Sequence, residues 1–178
     1  MTTTPIDAAA ATRLALVREH VSYENAHDLD RIMGTFGGNA RYDDEPASEH
    51  HDGADAVRAY YATLLKSVPD LFIDVQHEHV TNDGVVLEVI IRGTHKGAWR
   101  GLPATNRTLA IPLCGVFTFD ESNRLRGERI YYDRATVLRQ LGVFHEPETP
   151  LGKAVTVLTH PVTMARIAMQ RLRPSGRP

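Results

Sequence analysis

One cysteine, Cys114, in 178 residues excludes an internal disulfide framework and suits a reducing compartment. Charge of one sign is also lacking: 20 Lys and Arg face 22 Asp and Glu, a formal net charge of −2. A nucleic-acid partner would want a strongly basic face, which this balance does not supply. No apolar run approaches the roughly 20 residues that span a bilayer. The opening MTTTPIDAAAATR lacks the basic-then-apolar order of a secretory signal, so a cytoplasmic protein is expected. No internal repeat is present, and the alanines at 8–11 are the one low-complexity patch. What is present, 42% hydrophobic residues in a chain of this length, is enough for one domain with a sizeable core.

Helical spacing dominates the first third. Ala10, Leu14, Val17 and Val21 form one stripe of a helix over 7–26. A second short helix starts at Asp28-Leu29-Asp30 and is expected to end at Gly37-Gly38, followed by a strand at 39–44. Val57, Tyr60, Tyr61, Leu64, Leu65 and Val68 make the widest apolar stripe, a helix over 54–68 stopped by Pro69. Between them stand Asp43-Asp44-Glu45 and His50-His51-Asp52, ligand types that raise the question of a metal. They lack the i, i+4 helical spacing of a metallohydrolase, and Pro46, Ser48 and Gly53 mark a loop with solvated charges. No metal or organic cofactor is expected.

Four strands are predicted next, at about 70–81, 84–96, 107–120 and 124–133, joined first by the Asn82-Asp83-Gly84 hairpin. Successive hairpins imply an antiparallel sheet, with the leading helices on one face, hence an α+β fold. Strand 84–96 carries Glu88, Arg92 and Thr94 on one parity and Val85, Leu87, Val89 and Ile91 on the other. The polar row reads as a solvated face, a cavity lining or a dimer interface.

The stretch RGERIYYDRATVLRQLG, 126–142, reads as a strand running into a short helix. Ile130 and Tyr132 alternate with Arg129 and Tyr131; then Val137, Leu138 and Leu141 fall at helical spacing before Gly142. Asp133 at the junction is either a helix N-cap or an acid–base group pointing into a cavity.

This segment resembles the end of the SnoaL-like polyketide cyclase (ester cyclase) family, within the NTF2-like superfamily: a strand, an aspartate and a short helix ending in Gln140-Leu141-Gly142. Gly93-Thr94-His95-Lys96-Gly97 and Gly101-Leu102-Pro103-Ala104-Thr105 are similar to two further family motifs, although Asn106 stands where a glycine is usual. Asparagine tolerates positive φ, so the turn is expected to survive. The resemblance covers about 8–145 and implies a cone: a curved, mainly antiparallel sheet wrapped on three N-terminal helices, around an apolar pocket. It implies a domain at 5–146 and leaves 147–178 as an extension.

The same resemblance implies a cofactor-free enzyme acting on a hydrophobic carbonyl compound, with Asp133 as proton carrier. The Asn25-Ala26-His27-Asp28-Leu29-Asp30 run is similar to the ketosteroid-isomerase branch, which would put the proton-transferring aspartate at Asp44 and oxyanion donors near His20 and Cys114. The limonene-epoxide-hydrolase branch fits Arg92 and Asp133, but Thr94 replaces its first aspartate, which disfavours that activity. His95 and Arg92 complete the catalytic candidates. Tyr42, His51, Tyr60, Trp99 and Tyr131 are the candidate pocket walls. The competing class is a non-catalytic module that binds a small ligand or serves dimerisation.

The extension carries Leu151, Val155, Leu158, Val162, Ala165, Met169 and Leu172 four and three apart, a helical stripe that Pro161 should kink or divide. Its basic residues include Lys153, Arg166, Arg171, Arg173 and Arg177. Packing or homodimer formation is favoured for it over contact with an anionic membrane.

Overall fold

The computed structural model describes residues 8–81 and 83–172 and divides into two compact units, 1–141 and 142–178. The first unit is α+β. Helix α1, Ala8–Asn25, buries Ala10, Val17 and Val21, but also His20 and Glu24 on the same face. Asp28 caps α2, Leu29–Thr35, by accepting from the Arg31 N–H. The two glycines expected to stop this helix instead begin strand β1, Phe36–Asp44. A Cβ on Gly37 would lie 2.2 Å from Asp120 Oδ2, so any larger residue there would make the Asp120 carboxylate move aside.

A single 3₁₀ turn, Glu45–Ala47, leads to β2, Glu49–Asp52, where the sequence reading has a loop. Its four residues pair antiparallel with β1, from Arg41 opposite Asp52 to Asp44 opposite Glu49. The run is too short and too polar to show as a strand. Helix α3, Ala54–Ser67, buries Val57, Tyr60 and Tyr61. Strands β3 (Phe72–Val80), β4 (Gly84–Thr94), β5 (Thr108–Phe119) and β6 (Leu125–Tyr132) follow, then α4, Arg134–Gln140.

The six strands form one curved, unclosed sheet in the order β2-β1-β6-β5-β4-β3. All pairs are antiparallel except β1 with β6, which run parallel and bring Tyr42 beside Glu128 and Asp44 beside Ile130. Val85, Leu87 and Val89 of β4 face the helices, as their alternation predicts. Burying a side chain such as Leu87 or Leu125 fully contributes about 1.5–3 kcal/mol. The Gln140 amide bonds both backbone groups of Ala110, at 2.8 and 2.9 Å, and so fastens α4 to β5. Gly142 takes φ 78, as a helix stop requires.

In the second unit Thr149 caps α5, Pro150–Thr159, and α6 runs from Pro161 to Leu172. Pro161 divides the predicted stripe in two because it cannot donate to the turn before it. Leu151, Leu158, Val162 and Met169 are exposed. No helix among the described residues is long and apolar enough to cross a membrane. Arg173 and Arg177 lie outside the described residues.

Candidate active site

Strand β1 ends with two aspartates that point to opposite faces of the sheet. Asp43 turns outward, where Arg41, His50 and Arg129 reach its carboxylate at 2.9, 2.7 and 3.5 Å. Although burial opposes ionisation there, the bonds from Arg41 and His50 hold its pKa below the usual range. Asp44 turns inward and is 1% exposed. The Asp43–Asp52 run is therefore not one cluster, and the charge of Asp43 is already balanced.

Asp44 has a structural duty and a second set of partners. Its Oδ1 accepts from the Ala47 N–H at 3.2 Å, capping the 3₁₀ turn. Its Oδ2 accepts from Arg100 Nη2 at 2.7 Å, the Tyr132 hydroxyl at 3.1 Å and, more weakly, the Tyr60 hydroxyl at 3.4 Å. Arg100 also donates to the Tyr132 oxygen at 3.0 Å and to Glu49 at 2.7 Å, and lies 4.5 Å from the centre of the Trp99 ring. Burial works against the arginine's charge, but Asp44 outweighs it and holds the guanidinium pKa above its usual value. Burial pushes the Tyr132 hydroxyl up to about 12, Asp44 adding to the shift and Arg100 opposing it. Burial likewise raises Tyr60 well above the normal range. Both phenols therefore stay protonated donors at neutral pH.

The loop that delivers Arg100 is a tight tip. Trp99 and Leu102 exchange two backbone hydrogen bonds of 2.9 Å, while Arg100 and Gly101 adopt φ 48 and 77. Asn106 takes φ 56, so the turn survives without its glycine. His95 anchors the base of this loop. Its Nδ1 accepts from the Thr105 N–H at 3.2 Å, and its backbone pairs with Arg107 and Asn106.

Asp44, Tyr60 and Tyr132 line one end of an apolar cavity of about 60 Å³, with Trp99, Val68 and Val137 among its walls. A further space of about 30 Å³ shares Tyr42, Leu64, Leu71, Ile91, Leu113 and Ile130 with it and ends on Glu24 and Glu128. The two are halves of one interior. At the closed end Tyr61 donates to Glu128 Oε2 at 2.6 Å, and His20 Nε2 lies 3.6 Å from Glu128 and 3.7 Å from Glu24. Burial raises the Glu24 carboxyl to about 8, against the opposing effect of His20. A wider trough of about 770 Å³ on the outer face, among Arg41, Asp43, Arg126 and Arg129, is open and polar and is lined by none of Asp44, Tyr60, Tyr132 and Arg100.

Several sequence candidates take other places. Asp133 is a helix cap: it accepts from Ala135 N at 2.9 Å, Thr136 N at 3.2 Å and Thr136 Oγ1 at 2.5 Å, and its side chain is 62% exposed. It follows the inward-facing Tyr132, so strand alternation puts it on the outer side with Tyr131. His95 is buried beneath the loop rather than in the cavity wall, and burial lowers its pKa. Arg92 reaches only the rim, with a half-exposed guanidinium 3.2 Å from Asp74. Tyr131 is 44% exposed, on the face opposite Tyr132. Cys114 pairs across the sheet with Glu88 and Tyr131 and shares their outer face.

Tyr42, Tyr60 and Trp99 do line the cavity. His51 packs on Tyr60 with ring centres 4.6 Å apart, beside Trp99 and Arg100 at the mouth. The residues that sequence reading missed are Arg100, Tyr132, Glu49, Glu24 and Glu128. Strand parity would have chosen Tyr132 over Tyr131, because Ile130 is buried and two residues away. Glu24 lies one turn after His20 on the apolar stripe of α1, a polar intrusion visible in the sequence. Arg100 has no periodic signal at all.

A model of the SnoaL-like polyketide cyclase family matches residues 14–141. Among solved structures, one described as a SnoaL-like polyketide cyclase from Shewanella denitrificans aligns with TM-score 0.66 and 20% identity, over 73% of this chain and 96% of that one. A protein of ketosteroid isomerase-like fold from Catenulispora acidiphila, in complex with trimethylamine, aligns with TM-score 0.62 and 16% identity, over 72% and 92%. The epoxide hydrolase/cyclase-like enzyme SalBIII, of pyran ring formation in salinomycin, aligns with TM-score 0.62 and 20% identity, over 71% and 94%. These likenesses establish the fold, and the family match covers the whole sheet, α2, α3 and α1 from its Leu14 onward. The chain belongs to the SnoaL-like polyketide cyclase family.

Proposed function

We propose that the cavity is an active site for acid–base chemistry on a hydrophobic carbonyl compound, with Asp44 as the group that carries the proton. The observation behind this reading is a buried carboxylate at the wall of an apolar pocket, flanked by two phenol donors and a guanidinium. In an aldol closure Asp44 would take a proton from the carbon α to a carbonyl. The resulting enolate would attack a second carbonyl of the folded substrate, and the proton would pass to the new alkoxide. Once Asp44 has taken the proton, Tyr60 and Tyr132 can turn their single hydroxyl protons from it to the oxygen where negative charge develops, inside an apolar cavity. Arg100 closes the mouth, so a ligand gains access by displacing the Trp99–Leu102 tip.

A proton-shifting isomerase is the second reading, and it uses the same residues. It is favoured by the position of Asp44 at the end of β1, where the ketosteroid-isomerase branch carries its base. Both readings demand α-proton exchange. The test is incubation of the protein with a panel of aromatic and alicyclic ketones in D₂O, followed by mass spectrometry. Deuterium uptake that Asp44→Asn abolishes supports the reading. Tight binding of those ketones without any uptake would leave the pocket as a binding module.

A further inference from the structure

The closed end of the cavity carries two carboxyl groups and no fixed cation. Among the described residues, the ion pairs of Glu24 and Glu128 run to His20 alone, and both glutamates are only 6% exposed. Asp44, at the other end, has Arg100. Two buried carboxylates against one imidazole leave negative charge that only protons or a bound cation can offset.

Three details favour a cation. The Thr35 hydroxyl spends its proton on Ile32 O at 2.7 Å, so it accepts from His20 Nδ1 at 2.7 Å. That bond turns Nε2 towards the glutamates, as outer-shell bonds do for metal-bound histidines. Tyr61 has one hydroxyl proton and gives it to Glu128, while Glu24 lies 3.7 Å from Nε2, too far for a hydrogen bond. Glu24 and Glu128 thus both turn a carboxyl oxygen towards the same imidazole nitrogen. Finally, one ligand atom from each of His20, Glu24 and Glu128 lies within 4.8 Å of the others. An ion with bonds of about 2.0–2.2 Å holds its ligand atoms roughly 3.0–3.6 Å apart, so these donors need only a small contraction.

We propose that His20, Glu24 and Glu128 form a binding site for a first-row divalent transition-metal ion. The Tyr61 oxygen, 3.2 Å from His20 Nε2, stands beside them as a further donor. The adjoining space of about 30 Å³ has room for a water or a ligand oxygen as the remaining ligand. One imidazole nitrogen with two carboxylates suits Zn²⁺, Co²⁺ or Mn²⁺ better than Mg²⁺, which keeps its waters. Binding expels to solvent the protons that the cluster holds without metal. The ion faces the same interior as Asp44, so an oxygen of the pocket ligand can reach it. The site stands independently of the acid–base reading.

The test uses the full-length protein, stripped with a chelator and titrated with Co²⁺ and then Zn²⁺. One Co²⁺ per chain is expected, with visible absorption bands of a low-symmetry site that Zn²⁺ abolishes, and a raised melting temperature that Mg²⁺ does not reproduce. Glu24→Gln keeps the side-chain shape and removes only the acid, and it should weaken binding at least about tenfold. Glu128→Gln should do the same, which covers the case that one variant fails to fold. His77→Ala with His79→Ala, exposed rings 6.4 Å apart on β3, should leave it unchanged. Absence of stoichiometric binding at about millimolar metal would overturn the proposal, as would binding that survives Glu24→Gln and is lost with the β3 histidines. Either result would mean that the cluster holds protons only.

Discussion

Asp44 and Asp133 do the same local work in very different surroundings. Each ends a strand and caps the helical turn that follows, Asp44 through Ala47 N and Asp133 through Ala135 N and Thr136 N. Asp133 is open to water and pairs with Arg139 only at 3.9 Å. Asp44 is sealed in, with Arg100 at 2.7 Å and two phenols on the same oxygen. Cap geometry therefore says nothing about chemistry. A carboxylate can cap with one oxygen and still present the other to a pocket, and the surroundings of that second oxygen decide its use.

The largest expected effect breaks the comparison outright. Asp44→Asn preserves the shape and can still accept from Ala47 N, but it cannot move a proton near neutral pH. Turnover or α-proton exchange should fall about 100- to 10,000-fold, while circular dichroism shows an intact fold. Asp133→Asn should leave the rate within a factor of about two, since an exposed cap touches no reacting atom. If Asp133→Asn were the inactive variant, Asp44 would be a structural residue only. Next in size is Tyr132→Phe, which removes a donor from the oxyanion position. It should lower the rate about 10- to 100-fold, whereas Tyr131→Phe, on the outer face, should not.

Stability separates the two arginines in the same way. Arg100→Met leaves a buried carboxylate with only Tyr132, Tyr60 and Ala47 N as donors, and should cost about 1–3 kcal/mol in urea unfolding. Arg139→Met removes an exposed contact at 3.9 Å and should leave the unfolding midpoint unchanged. Equal losses would mean that Arg100 is screened by water far more than its contacts imply.

The contrast also shows what sequence could and could not reveal. Helices α1 to α3, the four long strands and the Gln140-Leu141-Gly142 ending were legible, because hydrophobic period and caps are local. Strand β2 was not, since four polar residues carry no period, and its pairing depends on β1 beside it. At the site, Tyr42, Tyr60, Trp99 and Asp44 were legible as candidates. Arg100 was invisible, because it reaches Asp44 across 56 residues from a loop tip. Asp133 stood out because a motif fixes where an aspartate sits along the chain, while strand parity after the inward-facing Tyr132 decides that it points outward.

The smallest expected effect tests the cap itself. Hydrogen bonding from the Thr136 hydroxyl, helped by Ala135 N and Thr136 N, holds the Asp133 carboxyl below its ordinary value of 3.8. A carboxyl whose folded-state pKa is depressed binds protons more readily in the unfolded chain. Its contribution is therefore complete above the unfolded value and disappears as pH falls through the folded one. Asparagine has no such titration and caps equally well at any pH. At about pH 7 the wild type should melt no more than about 2–4 °C above Asp133→Asn, the scale of one exposed cap in a chain of this size. The gap should close as pH falls below about 4, provided both proteins remain folded. A gap that persisted in acid would show that the two side chains differ in shape or solvation rather than in charge.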